Sequence, residues 1–517
     1  MPGKSFYLSL FFIVAIYTAL SLINIHSPGL YYDEIRPIPA ALGLAPTAGV
    51  KAGWIPFDYI WPLKSAFYYT LLKVLPFSVE LLRIPNVLFF CCALLCLGIL
   101  LAQQFGALFA IVAIAFLALN PGTMSFVRAD FLPAGPAIFL RGLVFVFFFR
   151  YRLGKLTRRQ LCGAGALVLS CALYRLDSYW EVGGVLLAAL WLEVARMRAL
   201  IPEERQWKPM GIQALILLLL LLIPLAFLRQ GSLGVFAWPQ DFFGRIALMG
   251  WYLSQLLEGA AFVKMSLSVG DPTNYFAVAA MLALISFPLF RRREARFRGP
   301  ALFCWIAAGY VLVLMFLTPT VHAPWHFLGL EPFVSLGAAA GVCELLQIVK
   351  RTRKRSSILA AFFLVNIFSQ YAAVYHWQQD VYRGMAGQIT SLWSPKIYEL
   401  ADFRAIHFGD LFLFLGWGSR AQVAALSDTY DTSFEQLEGD PREGVLRKLA
   451  DSNLMGTNLY VVVSFYDSIP PGSPFREIND RFEEMVRTGL IQAKLEKELS
   501  DGDRLLFRVY KVSAVRQ

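Results

Sequence analysis

Residues 5–23, SFYLSLFFIVAIYTALSLI, decide the fold class because they form a long apolar run without a charged side chain. A helix needs about 20 predominantly apolar residues to cross a bilayer. Similar runs recur along the 517 residues, of which 57% are hydrophobic and only 16% are charged. We therefore predict a mainly α-helical polytopic membrane protein. The first run is longer than the apolar core of a signal peptide and lacks a following cleavage site, so we expect a retained helix.

The apolar runs predict about 11 transmembrane helices. Their approximate bounds are 5–24, 84–103, 106–120, 133–150, 160–174, 180–195, 211–229, 274–290, 300–318, 327–348 and 357–375. Together they define a transmembrane domain over residues 1–375, with a long outer loop at 25–83.

The basic residues predict the orientation of these helices. Lys and Arg concentrate in four loops, at 150–160, 195–210, 291–298 and 350–355. With a cytoplasmic N-terminus, all four loops lie in the cytoplasm, as the positive-inside rule requires. The net charge of +11 is then explained by topology next to anionic lipid, which argues against nucleic-acid binding. We expect a bacterial inner (plasma) membrane protein.

The segment 376–517 is predicted to be an extracytoplasmic α/β domain. Three apolar runs predict strands, and two helix-like stretches lie between them. The strands are LFLFLGW at 411–417, LYVVVSF at 459–465 and LLFRVYKV at 505–512, and the helices lie near 441–452 and 474–490. His407 and Asp410 in this domain are expected to be surface or fold residues.

The predicted outer side gathers the unusual ionisable residues. They include Asp33, Glu34, Arg36, Arg128, Asp130, Arg175, His322 and His326. Short loops cannot carry charges far from the helices, so we expect several of these groups to converge in one wet cavity at the membrane boundary. The segment 64–83, which begins with Lys64, is amphipathic and is expected to lie along the outer interface.

Several of these residues also have a structural alternative. Asp33 and Glu34 could cap a helix, as could Asp130, and Arg128 and Arg175 could extend to lipid headgroups. His322 and His326 have a spacing that suits a metal on a helix, but Pro324 between them favours polar contacts instead. Arg141 and Glu331 are predicted inside spans, where an interior ion pair is the alternative to a functional role.

Several motifs on the outer side match a known family. The stretch Asp33–Arg36 is followed by Lys64 in WPLKSAFYY, by Arg83 in LLRIPN, and by Arg128 and Asp130 in NPGTMSFVRADFLP. In these motifs and in its number of spans, the chain resembles the glycosyltransferase C superfamily. Within it, the chain is similar to the polyprenyl- or dolichyl-phosphate-sugar branch of protein O-mannosyltransferases and lipid A aminoarabinose transferases. The oligosaccharyltransferase catalytic subunit is a poorer match because its Trp-Trp-Asp signature is absent.

The resemblance implies an inverting glycosyltransferase that moves a sugar from a polyprenyl phosphate to an acceptor hydroxyl on the outer face. Asp33 would be the general base, and Glu34 would orient the acceptor or tune Asp33. The leaving lipid phosphate needs cations, and four candidates could bind it. They are Arg36, Lys64, Arg128 and Arg175. The remaining candidates for substrate binding are Asp130, His322 and His326.

The partners implied by the resemblance are a polyprenyl-phosphate sugar, a lipid, glycan or protein acceptor, and the membrane lipids. The sequence assigns no metal ligands and specifies no cofactor, although a divalent metal stays an open alternative.

Two other function classes compete with this reading. A polytopic transporter or lipid flippase favours internal repeats and charges near the bilayer midplane, whereas the charges here crowd one face. An assembly or polymerase-type scaffold would use the outer C-terminal domain to bind partners.

Overall fold

The computed structural model of the protein divides the chain into two compact units. It describes residues 2–23, 25, 49–52, 55–58, 62–119, 121–128, 134–153, 155–157, 159–160, 162–163, 166, 187–190, 192, 296–317, 330–348, 357, 361, 396–415, 423, 426–427, 434–437, 441–465 and 474–513. The first unit comprises Met1–Ile23, Asn86–Arg128 and Pro133–Tyr375. The second comprises Asn24–Pro85, Ala129–Leu132 and His376–Gln517, so the predicted outer loop groups with the C-terminal segment.

The described residues form α-helices and β-strands. In chain order they are α1 (Lys4–Leu22), β1 (Gly49–Ala52), β2 (Ile55–Asp58), α2 (Pro62–Leu72), α3 (Val79–Phe105), α4 (Ala107–Ala118), α5 (Pro121–Arg128), α6 (Ala134–Arg152), α7 (Arg298–Leu317), α8 (Glu331–Ile348), α9 (Lys396–Ile406), β3 (Leu411–Leu415), β4 (Phe434–Leu437), α10 (Pro441–Met455), β5 (Leu459–Ser464), α11 (Pro474–Arg487), β6 (Gln492–Asp501) and β7 (Arg504–Ser513).

The first unit is built from packed apolar helices. Helix α8 packs against α4, α6 and α7, while α1 packs against α4 and α5. Aromatic rings join several of these helices, with Phe105 of α3 centred 4.9 Å from Phe109 of α4 and 5.4 Å from Phe145 of α6. Gly98 lets α3 approach α1, since a Cβ added there would lie 2.8 Å from Leu10 Cδ1. Small residues at helix crossings favour such close packing in membranes.

Six of the predicted spans coincide with helices of the structure, namely α1, α3, α4, α6, α7 and α8. Among the described residues, Lys4–Leu22 and Val79–Phe105 are long and apolar enough to cross a membrane, and Ala107–Ala118 is a shorter apolar helix. The other five predicted spans lie wholly or mostly outside the described residues. The total of about 11 therefore stays a prediction.

The second unit contains a mixed five-stranded sheet with the order β4-β3-β5-β7-β6. The strands β4, β3 and β5 are parallel, whereas β7 is antiparallel to both β5 and β6. The three strands and two helices predicted for the tail are confirmed as β3, β5, β7, α10 and α11. The strands β4 and β6 were not predicted. A separate antiparallel hairpin of β1 and β2 lies beside α2.

The sheet is covered on both faces, which explains the continuous apolar runs of its central strands. Phe412 and Phe414 of β3 pack with Leu400 of α9 on one face. Leu413 of β3 packs with Phe482 of α11 on the other face. Successive side chains of a strand point to opposite faces, so a strand between two helical layers must be apolar at every position.

Candidate functional site

Two of the nine predicted site residues lie in the part of the chain that the structure describes. Lys64 lies on α2, and Arg128 is the last residue of α5. The other seven lie outside the described residues: Asp33, Glu34, Arg36, Asp130, Arg175, His322 and His326. The described helix α3 follows α2 in the sequence, and α5 ends shortly before Asp130.

Helix α2 carries Lys64 and is fastened to the start of α3. Tyr68 lies four residues after Lys64 and is completely buried. Its hydroxyl donates a hydrogen bond to the backbone carbonyl of Leu82 at 3.0 Å. The predicted amphipathic segment 64–83 is thus two helices, since α2 ends at Leu72 and α3 begins at Val79.

A small apolar cluster holds this junction together. Tyr68, Val79 and Leu82 are buried in it, and Tyr398 of α9 and Leu426 pack against them. Helix α2 and the C-terminal α/β fold are therefore in contact through this cluster within the second unit. The placement of the segment 64–83 along the membrane interface stays a prediction.

Arg83 is a residue that the sequence singled out only as part of the Arg-x-Pro motif. The structure buries its side chain completely, inside the first turns of α3. Its Nη1 atom donates a hydrogen bond to the backbone carbonyl of Ile25 at 2.6 Å. Ile25 begins the segment that leads to Asp33 and Glu34. The sequence indicates a special role for Arg83 in one way: a cation within an apolar run is costly, so it is expected to have a partner.

Arg128 is also buried, with only 1% of its surface exposed. The expected alternative, an arginine that extends to lipid headgroups, does not fit a side chain enclosed by protein. Its position at the end of α5 is favourable because the C-terminus of a helix attracts a positive charge.

Two further charged residues of the first unit were predicted inside spans, and the structure places one of them at a helix end. Glu331 was expected inside a span, but it is the first residue of α8, where the helix N-terminus favours a carboxylate. It is buried and accepts a hydrogen bond from Ser335 Oγ at 2.9 Å. Arg141 does lie inside its helix, α6, and is buried there.

In the α/β fold, His407 and Asp410 form part of a polar network that joins β3 to β5. Asp410 Oδ1 accepts hydrogen bonds from the backbone nitrogen of Asn458 at 2.9 Å and from its Nδ2 at 3.0 Å. His407 Nδ1 lies 3.1 Å from the Tyr460 hydroxyl and 3.6 Å from Asp410 Oδ2. Gly409 between them has a φ of 95°, which glycine adopts without strain. The expected fold role is consistent with these bonds.

Burial raises the pKa of the Tyr460 hydroxyl in this network, and the negative charges of Asp410 and Glu496 add to the effect. The hydroxyl therefore stays neutral at physiological pH. Among the described residues, no group of three or more His, Cys, Asp or Glu side chains is placed to hold a metal ion.

No protein-family model and no curated protein sequence matches this chain. Its fold, however, is similar to those of several solved structures. ArnT from Cupriavidus metallidurans, in a structure bound to undecaprenyl phosphate, aligns with a TM-score of 0.51 and 13% identity over 98% of both chains. The apo state of the same protein aligns with a TM-score of 0.52 and 12% identity over 97% of both chains. The Archaeoglobus fulgidus oligosaccharyltransferase in its apo form aligns with a TM-score of 0.53 and 12% identity, over 89% of this chain and 69% of that chain.

These alignments define the fold. The chain has the glycosyltransferase C fold, which it shares with ArnT and with the archaeal oligosaccharyltransferase, and those two neighbours are polytopic membrane proteins. The alignment with ArnT extends from the first helix through the α/β fold, because it covers nearly all of both chains. The resemblance inferred from the sequence motifs is thus confirmed at the level of the fold.

Proposed function

We propose that this protein is an inverting membrane glycosyltransferase that moves a sugar from a polyprenyl-phosphate donor to an acceptor hydroxyl. The observation that carries the proposal is the fold shared with ArnT, whose structure holds undecaprenyl phosphate, over 98% of both chains. The stretch Asp33–Arg36 after α1 supports it, because this arrangement of acids and a base resembles that branch of the superfamily.

Asp33 takes the proton of the acceptor hydroxyl as that oxygen attacks the anomeric carbon. The bond from that carbon to the phosphate oxygen breaks, and the lipid phosphate leaves as an anion. One displacement inverts the anomeric centre. Glu34 orients the acceptor or tunes Asp33 as its neighbouring carboxylate. A well-placed general base contributes about 10²–10⁴-fold to the rate.

The leaving phosphate is already stable as an anion, so it needs cations more than it needs a proton. The proposed contacts are Arg36, Lys64, Arg128 and Arg175. Charge-assisted hydrogen bonds of this kind are strong where water is scarce. Asp130, His322 and His326 complete the proposed substrate-binding set, with no metal ligand assigned among them.

The topology belongs to the same proposal. Residues 1–375 form the transmembrane domain and residues 376–517 an extracytoplasmic domain in a bacterial inner membrane. The acceptor then approaches from outside the cytoplasm, while the bilayer holds the lipid donor in the plane of the site. This confinement raises the effective concentration of the donor.

The test is to incubate purified protein with a panel of polyprenyl-phosphate sugars and acceptors and to follow release of the lipid phosphate. We expect release with at least one donor, and a loss of about 10²–10⁴-fold in the Asp33→Asn variant. Asp480→Asn is the matched control, because Asp480 lies exposed on α11. Wild-type rates in Asp33→Asn would contradict the assigned base. Lipid flux across proteoliposomes without any transfer would instead indicate the transporter alternative.

A further inference from the structure

The first turns of α3 hold two separate parts of the chain that matter for the proposed site. Arg83 binds the backbone of Ile25, a residue 58 positions earlier. Its neighbour Leu82 accepts the hydroxyl hydrogen bond of Tyr68 on α2. Two consecutive residues of one helix therefore hold both the segment that leads to Asp33 and the helix that carries Lys64.

We propose that Arg83 is a positioning residue for the glycosyl transfer, and that Leu82, Arg83, Tyr68 and Ile25 together form a clamp. This inference rests on the proposed function. The clamp keeps the proposed base and a proposed phosphate-binding cation in register with each other, because both are tied to the same turn of α3.

The chemistry of Arg83 favours positioning over direct contact with the donor phosphate. Its side chain is completely buried, and its Nη1 atom bonds a main-chain carbonyl. A buried cation is costly unless its donors are bound, so the bond to Ile25 restrains the backbone at that residue relative to the start of α3. A phosphate contact would instead require an open face toward the substrate.

The surroundings of the clamp make its geometry stiff. Tyr68, Val79 and Leu82 form a buried apolar cluster. Hydrogen bonds are stronger where water is excluded, so the Tyr68 bond has few competitors. Proline at the start of α2 and the proline within α3 further restrict the backbone on both sides.

The expected effect of losing the clamp is on the chemical step. A displacement of about 1 Å at a reacting group can cost about 100-fold in rate. Arg83→Met keeps an unbranched, though shorter, side chain and removes its donors, so we expect kcat to fall by about 100-fold while KM changes little. Arg83→Lys retains a cation that can donate to Ile25, and we expect it to recover roughly tenfold of that loss.

The matched control is Arg404→Lys, because Arg404 is also completely buried and also donates from Nη1 to a backbone carbonyl, that of His407, at 3.0 Å. We expect kcat per folded molecule to be unchanged in this control. Tyr68→Phe tests the second half of the clamp, and we expect a fall in kcat of roughly tenfold or less, the worth of one hydrogen bond.

Hydrogen exchange on the full-length protein provides a readout that does not need activity. In Arg83→Met, exchange should increase in peptides covering 26–40 and 62–72 and stay unchanged in 396–415. Unchanged exchange in those two peptides, or a loss of activity no greater than the loss of folded protein, would overturn the proposal. If Arg83→Met does not fold, the same measurements on Arg83→Lys and Tyr68→Phe decide it. If the wild type transfers no sugar, the proposed function fails and exchange still decides whether the clamp exists.

Discussion

Two completely buried arginines make the same kind of bond in two regions of the second unit. Arg83, at the start of α3, donates from Nη1 to the carbonyl of Ile25 at 2.6 Å. Arg404, at the end of α9, donates from Nη1 to the carbonyl of His407 at 3.0 Å. The first bond joins residues 58 positions apart, whereas the second joins residues three positions apart.

The difference in separation gives the two bonds different consequences. A bond across three residues satisfies a carbonyl at a helix end and stabilises the α9–β3 turn, much as other C-terminal caps do. A bond across 58 residues joins the start of α3 to Ile25, where the segment that leads to Asp33 begins. Loss of Arg404 should therefore appear mainly in stability. Loss of Arg83 should appear mainly in the geometry of whatever that segment carries.

The largest stability effect is expected from Arg404→Ala. The guanidinium is centred 4.7 Å from the Phe412 ring, and it also bonds the carbonyl of His407. Truncation removes both contacts and leaves space in the core of the sheet, so we expect a loss of about 3 kcal/mol in the free energy of unfolding. Thermal unfolding of the full-length protein in detergent measures the change.

The control for that variant is Arg487→Ala, because the Arg487 side chain is 80% exposed. It should shift the unfolding temperature little. A fall in kcat per folded molecule in Arg404→Ala, as deep as that expected for Arg83→Met, would remove the distinction between the two arginines.

The next effect concerns Asp410, which stabilises the same turn from the side of β5. Asp410→Ala removes the acceptor of two hydrogen bonds from Asn458, one donated by its backbone N–H and one by its Nδ2. Leaving these donors without the carboxylate should cost about 2 kcal/mol. Asp410→Asn keeps an acceptor oxygen and should cost less. Equal losses in the two variants would show that charge, rather than the hydrogen bonds, stabilises the turn.

The region around Arg404 could be predicted from sequence much better than the region around Arg83. The runs at 411–417 and 459–465 are apolar throughout because helices cover both faces of the sheet, and this gives a strong local signal. The strand β6, QAKLEKELSD, was missed because it lies at the edge of the sheet, where charged side chains are common.

The clamp could not be predicted because its partners are distant in sequence. The separation between Arg83 and Ile25 leaves no periodic pattern, and the motif LLRIPN shows only that a cation enters an apolar run. The ends of two helices also differ from their predicted bounds, since α3 begins at Val79 rather than at 84 and α8 begins at Glu331 rather than at 327. Apolar composition predicts the middle of a helix better than the polar residues at its ends.

A smaller effect is expected from Tyr460→Phe, which tests whether the Arg404 region acts through stability alone. The variant removes the hydroxyl that lies 3.1 Å from His407 Nδ1, at a cost of about 1 kcal/mol. Burial, Asp410 and Glu496 raise the pKa of Tyr460 above the unfolded value of about 10.

The raised pKa also predicts a pH dependence. The unfolded chain loses the tyrosine proton first, so the contribution of Tyr460 to stability is complete below about pH 10 and is lost as the pH rises toward the folded pKa. Unfolding midpoints between about pH 9 and 11 should fall less steeply in Tyr460→Phe than in the wild type. Some decline of the unfolding midpoint with pH should persist in Tyr460→Phe, since burial also raises the pKa of Tyr510. Identical slopes would contradict the assignment.

The smallest effect is expected from an exposed arginine, Arg508→Gln, which completes the series of buried long-range, buried local and surface cations. Arg508 Nε bonds Glu498 Oε2 at 2.9 Å across β6 and β7, with 31% of the arginine side chain exposed. Ion pairs this accessible to water are screened, so the loss should be about 0.5 kcal/mol and should shrink as salt is added. A loss as large as that of Arg404→Ala, measured in the same unfolding assay, would mean that the type of bond, rather than burial, determines how much each arginine contributes to stability.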